Sequence, residues 1–194
     1  YQQNIIDPRN KAYGLNYTNE NERPAYERDS IIKMVSPENK EADKQVFLNM
    51  LENWKQKQTS DKPVLFIINT SGGGTRSATF TMNVLQKLDS ITAGSLMPQT
   101  FLITGASGGM FGAAYFRELY FQKQLDASIN MQNRAYAENI SGDLLNPLFT
   151  SLISRDLAGP VRTFEASGHT YVRDRGYAFE QKLNENTKGV LNKT

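Results

Sequence analysis

Ser107 stands in the run Thr104-Gly105-Ala106-Ser107-Gly108-Gly109, a Gly-x-Ser-x-Gly pentapeptide. Glycines two before and two after a serine let a chain turn sharply from strand to helix, with the serine holding a strained backbone and an outward hydroxyl. A serine held in that way can act as the nucleophile of acyl transfer. At a helix head, the unpaired amides of the first turn also favour negative charge on a carbonyl oxygen. A second glycine-rich run, Ser71-Gly72-Gly73-Gly74-Thr75-Arg76, comes earlier in the chain. Three successive glycines can aim backbone N–H groups into a concave site, the arrangement an oxyanion needs. The planar fork of Arg76 suits either shaping the turn or holding a phosphate head group. The phosphate-loop patterns G-x-x-x-x-G-K-[ST] and G-x-G-x-x-G are both absent, which argues against a nucleotide site. The competing reading of each run is a tight turn that only lets strand and helix pack.

Composition narrows the chemistry. The chain has 194 residues, 39% apolar and 22% charged, enough for one domain with a sizeable core. A formal net charge of +2 gives no reason to expect a nucleic-acid partner. Cysteine is absent, so disulfides, thiolate metal sites and a cysteine nucleophile are excluded. His169 is the one histidine, so no histidine cluster can hold a metal, and a Ser-His-Asp triad would have to use that residue. No run reaches the ~18–20 apolar residues of a membrane span, and no signal peptide is visible. The chain opens on Tyr1 in a polar segment and stops at Thr194 just after a helix-like stretch, so it reads as a piece of a longer one.

Several elements are needed to position the two turns. Residues 1–37 keep no sustained period and read as an irregular N-terminal arm, with 38–194 as the domain proper. Ser36 as N-cap and Pro37 at the first position start a helix whose apolar face carries Val46, Phe47, Met50, Leu51 and Trp54. Val64 to Ile68 is a short apolar run expected to be a strand buried on both faces. Arg76 to Leu88 follows the first turn as a helix, with Phe80, Val84, Leu85 and Leu88 at helical spacing. Phe101 to Ile103 is the second buried strand, and Met110 to Tyr120 the helix after the second turn, where Ala113 and Ala114 permit close packing. Strand–turn–helix–strand–turn–helix is α/β logic: the strands should be parallel, and both turns should meet at the carboxyl edge of the sheet. Further on, Gln122 to Asn139 reads as helical, Asp143 to Phe149 as a turn and helix, Tyr171-Val172 as a short strand, and Gly176 to Lys188 as a helix.

A glycine-rich turn with arginine after one strand, and G-x-S-x-G after the next, resembles the patatin-like phospholipase family, which takes in the cytosolic phospholipase A2 relatives. The resemblance covers roughly residues 63–120. From Ser141 to Glu180 the chain looks like the continuation of some bacterial members, and residues 1–60 are not covered. The resemblance implies a three-layer α/β sandwich around a mostly parallel sheet, incomplete here at its C-terminal end. It implies Ser107 as nucleophile, Gly72, Gly73, Gly74 and Gly108 as the oxyanion hole, Arg76 at its basic position, and Gly105 and Gly109 as the glycines of the elbow. It also implies a lipid or ester substrate, contact with a membrane surface, and no metal or organic cofactor.

In that family the base is an aspartate of a late D-G-[GA] motif, which this sequence lacks. Asp174-Arg175-Gly176 does not match it, and Asp143 and Asp156 fit less well still. The expectation is an aspartate beyond Thr194, in the remainder of the domain, so that this chain alone would be inactive; the remainder of the chain or another protein subunit is the expected partner. His169, in the polar run Ser167-Gly168-His169-Thr170, could complete a triad after Asp143 or Asp156 only in an ordinary α/β-hydrolase order. Phe111, Tyr115, Phe116, Tyr120 and Phe121 cluster after the nucleophile, as core or as lining for an acyl chain. The alternative function is a catalytically silent domain of the same fold, serving as an interaction or structural subunit.

Overall fold

The computed structural model of the protein describes residues 25–166 and 168–192. The chain forms two compact units that meet in sequence at Val64 and Leu65.

The first unit carries two helices, α1 (Arg28–Met34) and α2 (Pro37–Gln56). The helix start is where Ser36 and Pro37 place it: the Ser36 hydroxyl accepts the Asn39 amide at 3.1 Å. α1 lies inside the stretch expected to be irregular; the rest of that arm, residues 1–24, lies outside the described residues. The apolar positions of α2 were expected to form a packing face. Instead Val46, Phe47 and Met50 are exposed, and only Leu51 and Trp54 are partly covered.

The second unit has mixed α/β structure around a two-stranded parallel sheet. β1 (Phe66–Thr70) pairs with β2 (Thr100–Gly105), and Thr70 stands opposite Gly105 at the carboxyl edge. The helix α3 (Gly74–Ile91) and the short α4 (Leu96–Gln99) connect the two strands, and α5 (Ser107–Leu125) follows the second. The expected parallel crossover is therefore present. The strands are not buried on both faces, however: Phe66 and Ile68 pack toward the core while Ile67 is 60% exposed.

Packing between α3 and α5 organises this unit. Small residues set its closeness. A Cβ on Gly112 would lie 2.3 Å from the Ala78 carbonyl oxygen, so only glycine lets the two backbones approach this far. Ala78, Met82 and Leu85 of α3 meet Ala113, Phe116 and Leu119 of α5 in one core. This corrects the face assigned to α3. Phe80, Val84 and Leu88 point away from the core, Phe80 being 69% exposed, whereas Thr81, Gln86 and Asp89 are turned in. Leu85 is buried as its spacing implies. Close approach of Gly112 to Ala78 and Thr81 sets the rest of the face, since only small side chains fit there.

Gln86 donates to the carbonyls of Met131 and Asn133, at 2.8 and 3.0 Å, and so anchors the loop after α5. That loop interrupts the helix expected over Gln122 to Asn139. α5 ends at Leu125, and α6 begins only at Ala135 and ends at Ile140. Asp126, Asn130 and Asn133 each accept an amide two residues on, which are turns that compete with the helix.

α7 (Leu145–Ser151) runs on into one π-helical segment, Leu152–Leu157. A hairpin of β3 (Thr163–Ala166) and β4 (His169–Val172) and the helix α8 (Arg175–Asn186) complete the unit. The segment expected to be extended at Tyr171-Val172 is the second strand of that hairpin.

Asp89 is 4% exposed, and its Oδ1 has no hydrogen-bond partner among the described residues. Burial pushes its carboxyl above the usual carboxylate range, with Lys123 and the Gln132 amide acting in the opposite direction. Folding therefore favours the protonated acid. The resulting penalty is absent below the unfolded-state pKa and grows as pH rises through the folded value. Asp89→Asn is expected to stabilise the protein at neutral pH by about 1 kcal/mol, with the gain vanishing toward about pH 3. Melting temperatures of both proteins across that range check this.

Candidate active site

Parallel pairing brings the two glycine-rich turns together. The Ala106 amide donates to the Thr70 carbonyl at 3.2 Å, which carries the strand register to the edge of the turns. Beyond that point the chain reverses directly into α5, and Ser107 is its first residue, with φ +50°. An L-residue with a side chain pays strain there, and the segments on either side hold it in place. Gly105, Gly108 and Gly109 are the reason the turn fits. A Cβ at Gly105 would meet Thr70 Oγ1 at 2.0 Å, one at Gly108 the Gly74 oxygen at 1.9 Å, and one at Gly109 the Ser71 oxygen at 2.2 Å. Ser107 itself is exposed, while Gly108 and Gly109 are buried beneath it.

The first turn lies beside the serine. A Cβ on Gly72 would stand 3.5 Å from the Ser107 Cβ. Gly73 and Gly74 have φ of +142° and +62°, conformations that L side chains rarely adopt. The Ser77 hydroxyl donates to the Ser71 carbonyl at 2.6 Å and closes the turn onto the helix it starts. No side chain caps α3 or α5. The amides at both helix heads therefore have no intrahelical acceptor, and both heads carry the positive end of the helix dipole. Arg76 is exposed in the first turn of α3. All the residues singled out around Ser107 — Gly72, Gly73, Gly74, Arg76, Gly105, Gly108 and Gly109 — thus fall in two adjoining turns.

The candidate acids are engaged elsewhere. Asp143 Oδ1 accepts the amides of Leu145 and Asn146 at the start of α7. Asp156 pairs with Arg175 at 2.8 Å. Asp174 caps α8 by accepting the Tyr177 amide at 3.0 Å. Two further buried acids, Asp89 and Glu118, escaped the sequence reading because nothing in their neighbourhood marks them as buried. Both lie far along their helices. At a rise of 1.5 Å per residue, Asp89 is roughly 22 Å from the head of α3, and Glu118 roughly 16 Å from the head of α5. His169 is exposed at the start of β4, its ring edge-on to Tyr171. Among the described residues no group of three His, Asp or Glu could hold a metal.

Of the aromatic cluster after Ser107, Tyr115 and Phe116 are fully buried and belong to the core, so they line no open channel. Burial raises the Tyr115 phenol above its ordinary range, and the Asn139 amide meets its oxygen at 3.4 Å. Phe111 and Tyr120 pack at the edge of the core, and Phe121 is exposed. Among the described residues no helix is long and apolar enough to cross a membrane.

No family model, no curated protein and no solved structure matches the chain.

Proposed function

We propose that the chain carries the nucleophile and oxyanion hole of a patatin-like serine acyl hydrolase that cleaves lipid carboxylic esters, built on a three-layer α/β sandwich. The observation that carries this reading is Ser107: an exposed serine at φ +50° heading a helix, directly beside a glycine turn that heads another. In the proposed reaction Ser107 Oγ attacks the ester carbonyl carbon as its proton passes to a carboxylate. Amides of Gly72, Gly73, Gly74 and Gly108 hold the oxyanion, each donor being worth ~10²–10³ in rate. The tetrahedral intermediate collapses, and the alcohol leaves with the proton. Water then attacks the acyl-serine and releases the acid. The base is an aspartate outside the described residues, since the acids named above serve local structural roles. The surface near the turns would meet the lipid, with Arg76 set to receive a phosphate head group. The test is labelling of the intact protein with a fluorophosphonate probe, followed by mass spectrometry of the modified peptide. A phosphonylated Ser107 supports the reading.

The engagement of Asp143, Asp156 and Asp174 favours a second reading, a silent domain of this fold in a larger assembly. An intact protein whose Ser107 stays unlabelled, and which hydrolyses no short-chain nitrophenyl ester, would establish that one instead.

A further inference from the structure

We propose that the cleft between α7, its π-helical continuation and α8 is a phosphate-binding site, separate from Ser107. The cleft has a volume of about 470 Å³. Asn146, Thr150, Ser151, Ser154 and Arg155 line it from one side, with Asp143 and Pro147 at the start of α7, and Ala178 and Lys182 line it from the other. Asn146, Thr150 and Ser154 recur every fourth residue, with Ser151 and Arg155 next to them on the same side of the α7 rod. A helix packed beside another normally turns its apolar face inward. Here Leu148 and Leu152 are partly buried, but Phe149 and Ile153 are exposed, at 55% and 64%, and hydroxyls and an arginine line the cleft beside α8.

Ser151 is 4% exposed, and its hydroxyl has no hydrogen-bond partner among the described residues. A buried hydroxyl left unpaired costs free energy, so its persistence at the wall of a polar cleft calls for an acceptor. The helix is locally π-helical at Leu152–Leu157, a form concentrated at functional sites. Of the neighbouring acids, Asp156 is bound to Arg175, and Asp143, at the rim of the cleft, has its Oδ1 occupied by two amides, leaving one carboxylate against two cations. Arg155 has no carboxylate partner among the described residues, and the Lys182–Glu185 pair, at 2.9 Å, is on the surface, where such pairs are weak and exchangeable. The Ser154 hydroxyl donates to the Thr150 carbonyl, which leaves a guanidinium fork, an ammonium and the Ser151 and Thr150 hydroxyls to match the oxygens of a phosphate, whether free, on a small phosphomonoester, or on a lipid head group.

Titration calorimetry of the intact protein with inorganic phosphate and with glycerol 3-phosphate tests this, beside flotation with phosphatidylcholine vesicles with and without phosphatidic acid. Saturable binding with a Kd on the order of 1 mM is expected for the soluble ligands. Binding confined to vesicles with phosphatidic acid would support the site and assign its ligand to a head group. In either case Arg155→Ala with Lys182→Ala should weaken binding about tenfold or more, Arg155→Lys should keep part of it, and Ser154→Glu should repel the anion. Ser107→Ala should leave it unchanged. The proposal is overturned if neither source binds, or if binding survives both the double variant and Ser154→Glu while circular dichroism shows them folded.

Discussion

Ser107→Ala is expected to abolish fluorophosphonate labelling and to lower ester hydrolysis by roughly 10⁴–10⁶-fold, with substrate affinity little changed. The size follows from the chemistry. In the proposed reaction, loss of Oγ means that no acyl-serine forms, and the amides of Gly72–Gly74 and Gly108 would have only a water-derived oxyanion to stabilise. The same position separates a nucleophile elbow from an ordinary turn by stability alone. At φ +50° alanine keeps the backbone strain and glycine releases it. Ser107→Gly should therefore be more stable than Ser107→Ala by about 1 kcal/mol in urea unfolding. Equal stabilities would mean that the backbone at Ser107 is not strained. Full hydrolytic activity in Ser107→Ala would remove it from the reaction.

The second large effect is in the glycines that let α5 approach the first turn and α3. Gly112→Val should destabilise the protein by more than ~3 kcal/mol, because even a Cβ would lie 2.3 Å from the Ala78 carbonyl oxygen and neither backbone can yield alone. Gly108→Ala should be comparably damaging: its Cβ would stand 1.9 Å from the Gly74 oxygen and would push the two turns apart. The two differ in what else is lost. Gly112 lies more than a turn beyond Ser107, the proposed nucleophile, so the folded fraction of Gly112→Ala should keep its specific activity. Gly108→Ala should lose activity even in the fraction that folds. Gly94→Ala is the control, since its Cβ would meet nothing within 4 Å and only the φ of +82° opposes it. About 1 kcal/mol is expected there. Urea unfolding, with activity normalised to folded protein, distinguishes the three.

Local sequence specified much of the site. Glycines at 72–74, 105, 108 and 109 show where the chain must turn tightly, and the apolar runs before them show that strands lead in. From these alone, parallel strands and adjoining turns follow, and β1 and β2 pair in that way. The start of α2 was equally legible, because Ser36 and Pro37 act within their own first turn. Helix ends were less so. α5 stops at Leu125 because Asp126 and its successors form side-chain turns, which helical periodicity does not weigh.

What only the tertiary structure decided is which face of each element is inside, and which charged groups stand near Ser107. Spacing marked Phe80, Val84, Leu85 and Leu88 as the core stripe of α3, but with Gly112 against Ala78 only Leu85 of these is buried, alongside Ala78 and Met82. Spacing likewise left Asp143, Asp156, Asp174 and His169 open as partners, until each was seen in its local bond or ring contact. The reason is range. Backbone strain and turn geometry act over a few residues, so the sequence by itself determined the shape of the elbow at Ser107. Burial and charge act between residues distant in the chain, and only packing sets those distances.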